Sequence, residues 1–151
     1  MRRLIKILPL LITFLLVGCS IANMAVDPYS NLNIYAENNI NPDMNGRPSP
    51  VVVHIFELTS DTLFKSQGFF SLYENSNEVL GPDMVEKTEI SLSPGQSEHY
   101  RSSMKPGVEY IGVIVAFRDI ENANWRKVIK VDRTGYNTYT LLLDELTLAI
   151  K

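Results

Sequence analysis

The residues with the strongest intrinsic chemistry in this 151-residue chain are one cysteine, Cys19, and two histidines, His54 and His99. A thiol can serve as nucleophile, metal ligand or acceptor of a lipid chain, and an imidazole as base or metal ligand. Each of these uses needs partners at set spacings. Neither histidine has a second histidine, a cysteine or a carboxylate at metal-ligand spacing. No Gly-x-Ser-x-Gly elbow, glycine-rich phosphate loop or His-Glu-x-x-His motif occurs. Asp43, Asp83, Asp119 and Asp144 fall at turn positions that favour Asp on backbone grounds alone. His54 reads as a hydrogen-bonded residue of an apolar strand, and His99 lies in a polar one. The sequence supports no catalytic, metal or cofactor site, so the chain is read as a non-enzyme.

Cys19 is different, because its surroundings form a pattern. Arg2, Arg3 and Lys6 make a positive start, and Ile7 to Val17 is apolar apart from Thr13. Eleven helical residues span about 16 Å, roughly half a hydrocarbon core. That is too short to cross a membrane and the right length for a signal segment. Leu16-Val17-Gly18-Cys19 resembles the lipobox of bacterial lipoproteins, in which the chain is cut before the cysteine and its thiol is diacylated. The only other reading is a buried thiol ending an apolar run. With a single cysteine no intrachain disulfide can form, although a signal segment implies an oxidising compartment. Two or three acyl chains anchor stably, at about 0.8 kcal/mol per buried CH₂. Ser20, rather than Asp, follows the cysteine; by resemblance to Gram-negative lipoproteins this implies the outer membrane.

Cleavage after Gly18 removes three of the 14 basic residues and none of the 17 acidic ones, leaving a net charge of −6 over 133 residues. That balance argues against nucleic acid, whose backbone needs clustered Lys and Arg. A chain of this size supports one core. Residues 19–31 are read as an acylated tether and 32–151 as a single domain.

The domain reads as all-β. Leu32, Ile34 and Ala36 alternate with polar neighbours, as do Thr88, Ile90 and Leu92. Val51–Leu58 is apolar on both faces, interrupted by His54 and Glu57, and Tyr110–Arg118 is a doubly buried central strand. Gly112 within it predicts a bulge or a close backbone approach. Ser97–Arg101, Trp125–Val131, Asn137–Leu143 and Glu145–Ile150 bring the count to about eight strands. Ser93-Pro94-Gly95-Gln96 and Lys105-Pro106-Gly107-Val108 are turns. With no crossover helices between strands, the pattern favours an antiparallel β-sandwich. Residues of about 60–86 break the alternation. Leu63, Phe64, Phe69, Phe70, Leu72 and Tyr73 have helical spacing and predict a short helical insertion whose aromatics form its own core rather than a ligand platform.

The segment between the first two strands is too long for a hairpin turn. Within it, Ile40, Asn41, Pro42, Asp43, Met44, Asn45, Gly46, Arg47 and Pro48 are the candidate partner-binding residues. Ile40 and Met44 are read as apolar anchors on its surface, and Arg47 as the donor of a charge-assisted hydrogen bond. The prolines stiffen the loop, which lowers the entropic cost of binding. The alternative is a solvated connector.

Gly46-Arg47-Pro48-Ser49-Pro50 leading into Val51-Val52-Val53 is followed by Phe69-Phe70-Ser71-Leu72-Tyr73-Glu74, Leu80-Gly81 and Ser93-Pro94-Gly95. Then come Tyr110-Ile111-Gly112-Val113, Ala116-Phe117-Arg118-Asp119, Ala123 and Trp125-Arg126. In this order, behind a lipobox, they resemble the TssJ (SciN, VasD) family of type VI secretion outer-membrane lipoproteins. The resemblance implies a transthyretin-like β-sandwich with an added helical element. It also implies a lipid anchor facing the periplasm, and a partner in the periplasmic C-terminal region of the inner-membrane TssM-type protein. The family's contact loop between the first two strands corresponds to Asn39–Ser49 here. Three other roles remain: a pilot lipoprotein of another envelope machine, a small-ligand-binding sandwich, and a surface hydrolase.

Cys19→Ser is expected to leave the fold intact and release the protein from membranes. Membrane fractionation checks this, and a variant still in the outer-membrane fraction would contradict the anchor.

Overall fold

The structure, a computed structural model, describes residues 29–133 and 135–151. Cys19, the lipobox and residues 19–28 of the expected tether lie outside the described residues. Residues 29–31, read as tether, belong instead to the first strand.

Among the described residues, eight strands form two four-stranded sheets. One holds β1 (Tyr29–Ala36), β4 (Ser97–Ser103), β7 (Tyr136–Asp144) and β8 (Thr147–Ile150), in the order β4-β1-β7-β8. The other holds β2 (Val51–Leu58), β3 (Met84–Leu92), β5 (Tyr110–Val115) and β6 (Arg126–Lys130), in the order β3-β2-β5-β6. All pairings are antiparallel except β1 with β7, which is parallel. The expected all-β sandwich is therefore present, with one parallel seam that alternation could not signal. Chain direction depends on which sheet each crossover reaches, and side-chain period is the same either way.

The inner faces pack as alternation requires. Leu32, Ile34 and Ala36 of β1 meet Val51, Val53 and Ile55 of β2, with Ile111, Val113 and Val115 of β5 and Leu141 and Leu143 of β7. The outer face of the β2–β5 sheet carries a second core. Phe56, Leu58 and Ile114 pack there against Phe64, Leu72 and Leu80. These last three come from the insertion, which forms α1 (Thr62–Ser66), α2 (Phe69–Glu74), α3 (Ser76–Leu80) and a 3-10 turn at Gly81–Asp83. The result is three layers: sheet, sheet, helices. Both predicted Pro-Gly turns close, with Gln96 N–H donating to Ser93 C=O at 3.0 Å and Val108 N–H to Lys105 C=O at 3.2 Å.

Gly112 is the close approach, without a bulge: the β2–β5 and β5–β6 registers run through it unbroken. The Phe64 ring lies directly on its backbone, and a Cβ there would stand 2.6 Å from Phe64 Cζ. Arg126 ties the same helix down, its Nη1 donating to Phe64 C=O at 2.9 Å and Gln67 C=O at 2.8 Å while its guanidinium lies over the Trp125 ring.

Gly112→Ala is expected to destabilise by about 1–3 kcal/mol through overpacking against this ring. Urea unfolding measures the loss. On a Phe64→Leu background, where the ring is gone, most of that cost should disappear, because the two positions are coupled through one contact.

Candidate functional site

β1 and β2 lie in different sheets, so residues 37–50 are a crossover between layers. That explains their length better than an elaborated hairpin does. Both roots of the crossover are locked. Ile40, expected on the surface, is 0% exposed and belongs to the inter-sheet core. This corrects its reading as a partner contact: an apolar residue inside a polar loop is here the plug that seats the loop. Asn41 is buried as well. Its side-chain N–H donates to Pro50 C=O and its oxygen accepts from Arg118 N–H, each at 2.8 Å. Its own N–H donates to Glu145 C=O at 2.8 Å, and its φ of 51° is one that Asn tolerates better than most residues. Asn41 thus joins four segments and is a positioning residue rather than a contact. Asn39 adds a surface link, donating to Asp144 Oδ1 at 2.9 Å.

Beyond this root the chain forms a small self-bonded tip. Asp43 N–H donates to Arg47 C=O at 2.9 Å and Gly46 N–H to Asp43 C=O at 2.8 Å. The Asp43 carboxylate accepts the backbone N–H groups of Asn45 at 2.8 Å and Arg47 at 3.0 Å. It also pairs with the Arg47 side chain, through Nε and Nη2, each at 2.8 Å. Arg47 is therefore engaged within the loop, with its exposed guanidinium edge still facing water. Pro42 and Asp43 are half-buried, while Met44, Asn45, Gly46, Arg47 and Pro48 are exposed. Met44, at 104% exposure, stands wholly in solvent at the apex.

Beside the tip is an open cleft of about 660 Å³, lined by Pro42, Asp43, Met44, Asn45, Arg118, Asp119 and Leu146. Arg118, Asp119 and Leu146 were not among the sequence candidates. Arg118-Asp119 stood out only as a motif after the most apolar strand, and nothing local tied it to the loop. Neither histidine borders the cleft. His54 is buried on the helix-facing side of β2, with Nε2 2.9 Å from Glu89 Oε2 and its ring stacked on Tyr73. Burial, reinforced by the nearby Lys87 charge, lowers its pKa against the opposing pull of Glu89. His99 Nδ1 lies 2.6 Å from Asn33 Oδ1 on the exposed sheet face. Among the described residues no group of His, Cys, Asp and Glu is placed to hold a metal ion, and no helix is long and apolar enough to cross a membrane.

The family model described as "Type VI secretion lipoprotein, VasD, EvfM, TssJ" matches residues 28–146. The chain belongs to this family. It is similar to the type VI secretion lipoprotein TssJ1 of Pseudomonas aeruginosa at 27% identity and a TM-score of 0.81, covering 83% of this chain and 96% of that one. A chain of a structure called "Type VI membrane complex" matches at 26% identity and a TM-score of 0.75, covering 83% of this chain and 99% of that one. A chain in the structure of the type VI secretion protein TssM C-terminal domain (869–1107) from EAEC matches at 24% identity and a TM-score of 0.71, covering 82% of this chain and 97% of that one. This last likeness shows the fold alone. No curated protein sequence matches the chain.

The Asp43 carboxyl is held below its ordinary pKa, chiefly by the Arg47 backbone N–H, with smaller help from Asn45 and the Arg47 side chain and some opposition from burial. A depressed carboxyl contributes order above its unfolded pKa and loses it as pH falls through the lower folded value. The Arg47 amide proton shift, followed by NMR, should therefore titrate with a midpoint below the ordinary aspartate value of 3.8. A midpoint above that value would contradict the tip geometry.

Proposed function

We propose that this type VI secretion lipoprotein is a non-catalytic tether of the outer membrane. It is acylated at Cys19 and faces the periplasm, where the exposed tip Asp43–Pro48 binds the periplasmic C-terminal region of the inner-membrane TssM-type protein. The observation that carries the reading is Met44, a flexible apolar side chain wholly in water at the apex of a rigid tip, beside a cleft of about 660 Å³. An unpartnered apolar side chain on a stiff support gains by burial and loses little freedom on binding. Methionine also adapts its shape to the surface it meets. Arg118 and Asp119 at the cleft edge would give polar rim contacts, which set orientation more than affinity. Family membership supports the anchor. The like-folded chain in the membrane-complex structure supports a partner in that complex.

Mechanically, the acyl chains fix one end and the tip presents itself at the other. β1 alone, eight residues long, spans about 26 Å at roughly 3.3 Å per residue. Confinement between two membranes raises the effective concentration of the two proteins, so a modest intrinsic affinity suffices.

Met44→Asp is expected to weaken binding to the TssM-type periplasmic region at least tenfold, about 1.4 kcal/mol, as read by calorimetry. Its unfolding midpoint should match the parent, since the side chain is wholly exposed in the free protein. An unchanged affinity would move the interface away from the tip. Ile40→Asp, by contrast, should unfold the domain, because it buries a charge in the core.

A further inference from the structure

We propose that the end of the sandwich where β1 begins docks on the lipid bilayer through Tyr29, Tyr136 and Arg101, so that the domain stands on the membrane. This rests on the reading of Cys19 as the lipid anchor.

Tyr29 and Tyr136 are paired across the parallel seam, with ring centroids 4.7 Å apart. Arg101, on the neighbouring β4, lays its guanidinium over the Tyr29 ring at 4.4 Å from the centroid. Their inward-facing neighbours Ser30, Leu32 and Asn137 are buried, so the three side chains stand on the outer face of the sheet, the face opposite the helical layer. Tyr136 keeps 62% of its surface in water and Arg101 is exposed. Next along this face come Asn31, Asn33, Thr138 and Thr140, and a separate exposed tyrosine, Tyr35, stands at the far end of β1, beside the crossover.

The occupant is identified by where the chain leaves the described fold. Tyr29 is ten residues after Cys19. A chain of that length spans at most about 36 Å even when fully extended. Whatever surface holds Cys19 therefore lies within reach of Tyr29 and Tyr136, and the Met44 tip lies farther off by the length of β1, roughly 26 Å at about 3.3 Å per residue. Tyrosine is an interfacial residue, its ring among the upper acyl chains and its hydroxyl in water. A guanidinium matches a lipid phosphate in a bidentate pair. Arg101 is free to do so, having no carboxylate partner among the described residues. Two other cations at this end are paired, Lys105 with Glu86 at 2.9 Å and Arg133 with Glu109 at 3.3 Å. Docking should thus depend chiefly on the aromatic pair and Arg101.

The test uses the full acylated lipoprotein carrying Tyr136→Trp, reconstituted in vesicles of phosphatidylethanolamine and phosphatidylglycerol, with and without lipids brominated in the upper acyl chain. The parent protein, whose only tryptophan is Trp125, supplies the background. The added indole emission should shift to the blue on reconstitution and lose most of its intensity to the brominated lipid. Adding Tyr29→Ser and Arg101→Ser should restore most of that intensity while the protein still floats with the vesicles. Protein that floats but keeps a red, unquenched added emission would overturn the docking and leave the anchor standing. Protein that fails to float would overturn both.

Discussion

β2 has no face that can meet water. Val51, Val53 and Ile55 point into the inter-sheet core, and Phe56 and Leu58 point away from it. A sheet with two apolar faces must be covered twice, and the helical insertion is that second cover. Its three helices of five or six residues are far too short to persist alone. They hold because Phe64, Leu72 and Leu80 are wholly buried against the sheet and Arg126 ties the Phe64 and Gln67 carbonyls of α1 and its C-cap to β6. β2 also carries its own register check. The Glu57 carboxylate faces inward, where it accepts from the Ser102 and Tyr100 hydroxyls of β4. His54 faces the other way, onto Tyr73 of α2 and toward Glu89 of β3. A slip of one residue would exchange the faces of these two groups. The carboxylate would then enter the Phe56–Phe64 cluster and lose its Ser102 and Tyr100 hydroxyl donors. Such buried polar groups add little net stability, but they penalise the wrong alignment.

The two sheets are consequently unequal. One is sealed on both sides. The other leaves its outer face to solvent, with Asn33 and His99 bonded across β1 and β4 and two tyrosines at one end. The molecule is also polar along its length. β1 and β7 run in the same direction, so both begin at the end where Tyr29 opens the fold and both finish at the end that carries the 37–50 crossover. The crossover and the β7–β8 turn thereby become neighbours, and Asn41 can reach the Glu145 carbonyl. An antiparallel β1–β7 pair would have placed the β7–β8 turn beside the start of β1 instead. The parallel seam is what separates the end where β1 begins from the end that carries the crossover tip.

Most of the strands were legible in the sequence, because burial on one or both faces leaves a period that needs no knowledge of the fold. Val51–Leu58 was bounded to the residue, and Pro-Gly chemistry located two turns. Gly112 signalled a close approach correctly, though not which ring made it. The errors have a common origin. Tyr29–Asn31 read as tether because Ser30 and Asn31 are polar, yet Ser30 is buried in the finished sandwich. Ile40 read as exposed because its neighbours are polar, while its burial depends on the path from one sheet to the other. Arg118, Asp119 and Leu146 reach the cleft through contacts far apart in the chain. Local pattern reports the face a residue presents to its own strand; it does not report what the other layer brings to it.

The crossover divides its work along its length. Its root contains the two most constrained positions, Ile40 in the core and Asn41 with three hydrogen bonds to distant backbone groups. Its tip is held chiefly by one carboxylate, Asp43, which gathers two N–H groups and a guanidinium within five residues. The Asp43–Arg47 ion pair is at the surface, where such pairs add little, so a partner's own carboxylate could draw Arg47 away at small cost. The backbone N–H bonds to Asp43 would survive that exchange, because they do not involve the arginine side chain. The tip can therefore keep its shape while its charge changes partner, and the apolar Met44 need not move to be covered. Rigidity at the root and adjustability at the tip follow from different bonds, and each can vary without undoing the other.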